Sequence, residues 1–339
     1  MSAQLHQPAS QSARAVRLGF LGLGWIGRKR LDALQGCEEV EIVALHDIDP
    51  SRSRAAAEAH PTAQVAQDLD ALLARDLDGV VIATPNALHA RDAVACLERG
   101  IGVFCQKPLA TRLEDTRRVI DAARRTNRLL GIDYCYRHVQ GMPELKARLG
   151  AGELGEIVSI DLTFHNAHAP DKSWCLDRRL SGGGCLLDLG VHLIDLVLWL
   201  QDAPDMELVS SQLYAQGPAA RTAGAVEDSA YVELRQANGA IVRVACSWNA
   251  HIGCDAVISM RMLGTQGGAH WRNVRGSFYD FELEVTRGNT SERLGTYPDD
   301  WGGRALKEWA RQLRHDRSFD PQTLMIARGA ALIEEMYRS

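Results

Sequence analysis

Aromatic side chains are scarce in this chain of 339 residues, at 6%, and they are unevenly spread: six of seven Trp, five of seven Tyr and four of six Phe follow residue 150. The first part must therefore build its core from Val, Ile, Leu and Ala. A basic excess is also missing. Against 38 Lys and Arg stand 43 Asp and Glu, for a net charge of −5 and a pI near 6.1, which excludes a nucleic-acid binder held by counterion release. No apolar run is long enough to cross a membrane uninterrupted, because Leu186–Leu200 is broken by Asp188, His192 and Asp195. Residues 1–14 lack the apolar core of a signal peptide and read as a disordered leader. The eight cysteines include no C-x-x-C pair and sit mostly in apolar runs, which suits reduced, buried thiols and a cytoplasmic location. His165 and His168 have no Cys or carboxylate at ligand spacing beside them, so no metal site is expected. Hydrophobic residues at 46% and charged residues at 24% exclude global disorder, and the length points to two domains.

What is there begins with strands alternating with helices. Val16–Phe20 is an apolar run ending in Gly-Leu-Gly, and Trp25–Leu34 then carries helical spacing. A strand at Ile42–Leu45 leads to Asp49 and Pro50, an N-cap and a first-turn proline. Val80–Ala83 and Val103–Cys105 are further strands, Asn86–Arg99 is a helix, and Thr111-x-x-Glu114 is a capping box opening a helix to about Asn127. This rhythm predicts a doubly wound parallel sheet over residues 15–136 and an α/β class. After Tyr136 the period becomes two. Ala230, Val232 and Leu234 alternate with polar neighbours, Asn238-Gly239 suits a type I′ hairpin turn, and Ile241–Cys246 returns. Residues 137–339 are thus expected to form a second α/β domain with a large, mostly antiparallel open sheet, whose free face serves as ligand wall or subunit interface. A last helix over about 324–337 would pack back on the first domain.

Three clusters carry chemistry. Gly22-Leu23-Gly24-Trp25-Ile26-Gly27 fits G-x-G-x-x-G between a strand and a helix, where glycines permit a tight turn and close approach to a pyrophosphate at the helix N-terminus. Asp47 ends the second strand 20 residues after Gly27, at the place of a ribose-binding carboxylate, so NAD is favoured; Arg28 and Arg52 keep NADP open. Thr84, Pro85, Asn86 and His89, then Gln106, Lys107 and Pro108, follow two further strand ends, where ligands of parallel sheets bind. Lys107 is held between an apolar strand and a proline and has reason to meet a ligand oxygen or a carboxylate. In Ser181–Asp195, three glycines precede an apolar helix on which Asp188, His192 and Asp195 share one face; His192 is the candidate general acid/base.

These pieces resemble the Gfo/Idh/MocA oxidoreductases, the family of glucose–fructose oxidoreductase and inositol 2-dehydrogenase, over nearly the whole chain from Val16. The resemblance rests on GLGWIG at 22–27, ATPNALHA at 83–90, CQKPLA at 105–110 and GGGCLLDLGVHLIDL at 182–196. The family's E-K-P motif stands here as Gln106-Lys107-Pro108. The resemblance implies an N-terminal Rossmann domain, a C-terminal α/β domain whose open sheet forms a dimer or tetramer interface, and Lys107, Asp188 and His192 as the catalytic set. The expected reaction is NAD(P)-dependent oxidation of a secondary hydroxyl of a sugar, sugar acid or cyclitol, with Asp188 orienting His192. Two rivals remain: a lyase, epimerase or glycosidase using transient oxidation, and a non-catalytic dinucleotide sensor. Arg137, His165, His168 and Trp174 are candidate substrate contacts, with Asn166, Asp171, Lys172, Trp248, Asn249 and His251 in the same loops and strands. An aromatic face among hydrogen-bonding groups suits a polyol.

Overall fold

The computed structural model describes residues 14–217 and 225–338. Of the leader expected over residues 1–14, only Arg14 is among them; its guanidinium donates to Asp78 at 2.8 Å.

Six strands form a parallel sheet: β1 (Val16–Leu21), β2 (Val40–His46), β3 (Gln64–Val65), β4 (Gly79–Ile82), β5 (Gly102–Cys105) and β6 (Leu130–Ile132), in the order β3-β2-β1-β4-β5-β6. β4 and β5 are buried along their whole length, as strands covered on both faces must be. The crossovers carry α1 (Trp25–Ala33), α2 (Pro50–Ala59), α3 (Leu69–Leu73), α4 (Asn86–Glu98) and α5 (Leu113–Thr126). Asp49 caps α2 by accepting the Ser51 N–H at 3.0 Å, with Pro50 in the first turn. The expected capping box at Thr111 and Glu114 is not formed. α5 starts after an extended Arg112 with no side-chain cap, and Glu114 and Asp115 act instead on the exposed N–H groups of the first turn.

The second sheet has eight strands, ordered β14-β13-β12-β11-β7-β10-β9-β8. They are β7 (Ile157–Asn166), β8 (Met206–Tyr214), β9 (Ser229–Gln236), β10 (Ile241–Ser247), β11 (Ala256–Gly264), β12 (Gly268–Asn273), β13 (Phe281–Arg287) and β14 (Thr290–Gly295). β7 and β10 pair in parallel; the other pairings are antiparallel. The β9–β10 turn differs from the type I′ expectation. Gly239 has φ 89° but Asn238 is not in the left-handed region, and Gln236 pairs across to Ala240, so the loop is three residues long with its one left-handed position at glycine.

Helices α6 (Met142–Gly150), α7 (Arg178–Ser181) and α8 (Val191–Leu200) lie in this second unit. The run Arg178–Leu200 has the length and composition of a membrane span, yet 89% of its most apolar stretch is buried inside the protein. Two helices close the chain, α9 (Arg304–His315) and α10 (Leu324–Arg338). α10 lies against α5, α8 and β8. α9 belongs by sequence to the second unit but completes the core of the first: Leu306, Trp309, Ala310 and Leu313 join Val16, Leu18, Phe20 and Phe104 in one cluster. A Cβ on Gly79 or Gly131 would come within 2.5 Å of the Trp309 ring, and one on Gly102 within 2.9 Å of Leu313. Glycine thus smooths the sheet so that a late tryptophan can lie on it.

Candidate active site

A cleft of about 1590 Å³ runs along the carboxyl ends of the parallel strands and under the segment that starts α8. It exceeds the roughly 300–1,000 Å³ of an ordinary small-molecule pocket, so a dinucleotide and a second ligand have room together.

At one end the glycine-rich turn fits a dinucleotide. Gly22 has φ +90°, and a Cβ there would meet the Ala83 carbonyl at 2.6 Å; one on Gly27 would meet the Gly22 carbonyl at 2.1 Å. Both are closed to any side chain. A Cβ on Gly24 would meet only Arg52 Nη1, at 3.9 Å, so backbone at Gly24 is open to a phosphate at the start of α1. Trp25, 57% exposed, and Ile26 border the same end. The Asp47 carboxylate accepts the Leu23 N–H at 2.6 Å and the Asp49 N–H at 2.9 Å, bracing the turn while it lines the cleft. Arg52 Nη1 stands 3.6 Å from it. Thr84, Pro85 and Asn86 also line the cleft, and Asn86 donates across to the Ser181 carbonyl at 2.9 Å, tying the two units together.

His89 also lines the cleft, and its ring nitrogens face two carbonyls. Its Nδ1 lies 2.7 Å from the Pro108 carbonyl and its Nε2 2.7 Å from the Thr84 carbonyl, so the ring is wedged between the loops after β4 and β5, and the one N–H of its neutral form donates to one of the two carbonyls. Burial lowers its pKa, against the pull of those two carbonyls.

At the other end Lys107, Asp188 and His192 come together in the cleft wall. Lys107 Nζ donates to Asp188 Oδ1 at 2.6 Å and to the Asp188 carbonyl at 2.7 Å. Asp188 Oδ2 accepts from Trp248 Nε1 at 3.3 Å. Asp188 therefore grips the lysine and does not hydrogen-bond His192. The reason lies in the helix: Leu186–Gly190 is a π-helical turn ahead of α8, which widens the spacing and breaks the single stripe expected of Asp188, His192 and Asp195. Packing, instead of a carboxylate, holds the His192 ring. Tyr136 lies 5.0 Å from it and Tyr134 and Phe164 each 6.5 Å, centroid to centroid. His192 Nδ1 is buried without a hydrogen-bond partner among the described residues. Burial, with the charges of Lys107 and Arg30 behind it, pushes the ring's pKa well below its ordinary value, so the imidazole is neutral and able to accept a proton.

Several expected substrate contacts lie elsewhere. Arg137 is outside the cleft, forked onto Asp195 through Nε at 2.8 Å and through Nη2. Burial raises the Asp195 pKa while Arg137 opposes it. A guanidinium so engaged has no role left for an anionic substrate. His165 Nδ1 meets Ser247 Oγ at 2.8 Å outside the lining, and His168 is exposed beyond it. Asn249 accepts the Ala169 N–H at 3.0 Å and so secures the loop. Trp174, Asp171 and Lys172 do line the cleft.

Two features escaped the sequence reading. The glycines at 183 and 184 make way for protein: a Cβ on Gly184 would lie 1.8 Å from the Glu227 carbonyl, and one on Gly183 2.0 Å from the Tyr337 hydroxyl. Glu227 Oε1 accepts the Gly184 and Leu186 N–H groups and the Tyr337 hydroxyl, at 2.8, 3.1 and 2.6 Å, fixing the helix start from behind. The second is a buried cluster in the cleft wall, in which Arg30 and Gln106 both donate to Asp133 Oδ2. Nothing adjacent in sequence marks this trio, for Arg30 and Asp133 lie 103 residues apart.

Residues 16–134 match the family model described as "Oxidoreductase family, NAD-binding Rossmann fold", and residues 142–270 match "GFO/IDH/MocA C-terminal domain". A relative from Amycolatopsis mediterranei (strain S699), named putative UDP-kanosamine synthase oxidoreductase subunit, is 33% identical over 83% of this chain and 82% of its own. The D-glucoside 3-dehydrogenase of Escherichia coli (strain K12) is 27% identical over 77% of this chain and 78% of its own. Among solved structures, GenD2 from gentamicin A biosynthesis, in complex with NAD, superposes with a TM-score of 0.82 at 23% identity, covering 99% of this chain and 97% of that one.

Proposed function

The chain belongs to the Gfo/Idh/MocA family of NAD(P)-dependent oxidoreductases, and within it we propose a dehydrogenase that oxidises a secondary hydroxyl of a sugar, sugar acid or cyclitol, or reduces the matching ketone. The observation that carries this reading is the meeting of Lys107, Asp188 and His192 in the same cleft as the Gly22–Gly27 turn. A bound nicotinamide dinucleotide supplies the hydride chemistry. His192, neutral in its apolar surround, takes the hydroxyl proton. Lys107 holds the reacting oxygen and stabilises the negative charge that develops on it. Asp188 keeps the ammonium aimed and offers an acceptor to a neighbouring hydroxyl. Trp174 gives a flat apolar wall for the C–H face of a ring. NAD is the preferred cofactor, because Asp47 would repel a 2′-phosphate; Arg52, 52% exposed beside it, is the group that would serve NADP. The subunit interface of the expected dimer or tetramer lies on the open face of the second sheet, where Tyr231 and Leu263 stay 49% and 48% exposed.

The test is an NADH-appearance screen over aldoses, glucosides, aldonic acids and inositols with NAD and NADP in parallel. One of these classes should reduce NAD, and faster than NADP. Product formed without net NADH would mean transient oxidation followed by elimination, epimerisation or glycoside cleavage; no turnover on any class would sink the dehydrogenase reading.

A further inference from the structure

The cluster behind Lys107 accounts for the departure from the family motif. A Glu at position 106 could not donate to a carboxylate, whereas Gln106 can, and its Nε2 does so to Asp133 Oδ2. Arg30 Nε donates to the same oxygen, from side chains 8% and 0% exposed. Burial works against the Arg30 charge, but its contact with Asp133 outweighs that and raises the pKa. The acidic group missing from the motif therefore stands at the end of the next strand. Asp133 follows β6 and its N–H donates to the Cys105 carbonyl at 2.9 Å, which fixes it beside Gln106 where both border the cleft.

Asp133 Oδ1 is buried with no hydrogen-bond partner among the described residues. A buried carboxylate oxygen without a donor is costly, so a ligand that brings one gains more there than at an exposed group. Position says which ligand. Asp47 follows β2 on one side of the point where the sheet order reverses, and Asp133 follows β6 on the far side. A dinucleotide spanning that point with its ribose at Asp47 lays its other end over β4, β5 and β6. That end carries a carboxamide with N–H donors.

We propose that Asp133 is a cofactor-binding residue, the relocated carboxylate of the lysine motif, whose Oδ1 accepts an N–H of the nicotinamide carboxamide. This rests on the dinucleotide reading given above. The experiment measures dissociation constants of the full chain for NADH and for ADP-ribose, which lacks the nicotinamide. Asp133→Ala should weaken NADH about 10- to 100-fold, the range expected for losing a hydrogen bond to a charged group, and leave ADP-ribose unchanged. Because that variant strands Arg30, Arg30→Met/Asp133→Leu removes both charges, a replacement that buried pairs commonly tolerate, and it is read the same way. Equal loss of both ligands, or loss of neither, overturns the proposal. Loss of sugar affinity alone, with NADH binding intact, would give Oδ1 to the substrate and overturn it too. A wild-type chain that binds neither ligand overturns the dinucleotide reading itself, and the inference with it.

Discussion

Two buried histidines flank Lys107-Pro108, and they differ in almost everything except burial. His89 is 1% exposed and His192 8%, and in both rings burial lowers the pKa. His89 sits between two carbonyls at 2.7 Å. His192 has aromatic rings around it and a nitrogen with no partner among the described residues. The first is wedged between the loops after β4 and β5, whereas the second is the general base proposed above. What distinguishes the two rings is how their polar atoms are partnered, and sequence neighbours do not reveal that.

Three experiments press on this difference. His192→Ala should lower turnover about 10²- to 10⁴-fold, the range of a lost general base, with NADH affinity and melting temperature near wild type; near-normal turnover would deny it the role. His89→Leu should do the reverse. It leaves one of the Thr84 and Pro108 carbonyls without its donor, so chemical denaturation should report a loss of about 1–3 kcal/mol for a buried unpaired group, while the folded fraction keeps its activity. Undiminished stability would contradict the bracing role. The smallest effect is on pH. Both rings hold protons less tightly folded than unfolded, so below the ordinary value of 6.5 the unfolded chain binds more protons and stability falls as pH falls through that window; above it the contribution is constant. The melting temperature should therefore drop between pH 7 and pH 5, and less so in His89→Leu. For the same reason kcat/KM should stay level through neutral pH and lose its His192-dependent limb only well below 6.5.

Much of this was legible in the chain. The Gly22–Gly27 turn, the alternation of strands and helices to about Asn127 and the three residues Lys107, Asp188 and His192 announce themselves by local pattern, because period and turn chemistry are short-range properties. The π-turn at Leu186–Gly190 was not, since its letters read as an ordinary helix, and so the expected Asp188–His192 contact became a Lys107–Asp188 one. For Arg137 a substrate contact and a plain salt bridge are both open by sequence, because its partner Asp195 lies 58 residues away. Arg30, Gln106 and Asp133 meet only after helix α1 and two strand ends converge, which is a property of the fold and of no segment. The three glycines before α8 mark a close approach by their letters, but not that Thr111, Tyr337 and Glu227 are the groups that approach.

The placement of Trp309 against Gly79 and Gly131 has a meaning for how the chain is made. A ribosome delivers β1 to β6 long before it delivers α9, and domains ordinarily form as units while synthesis proceeds. Here the parallel sheet emerges with part of one face, beside α1 and α2, still bare, and that part stays open to solvent, to chaperones and to other nascent chains until residue 313 has left the exit tunnel. The dinucleotide-binding half is thus the first part synthesised and among the last to be finished, and a product arrested before Arg304 would carry every cofactor-binding residue named above on a sheet that lacks part of its cover.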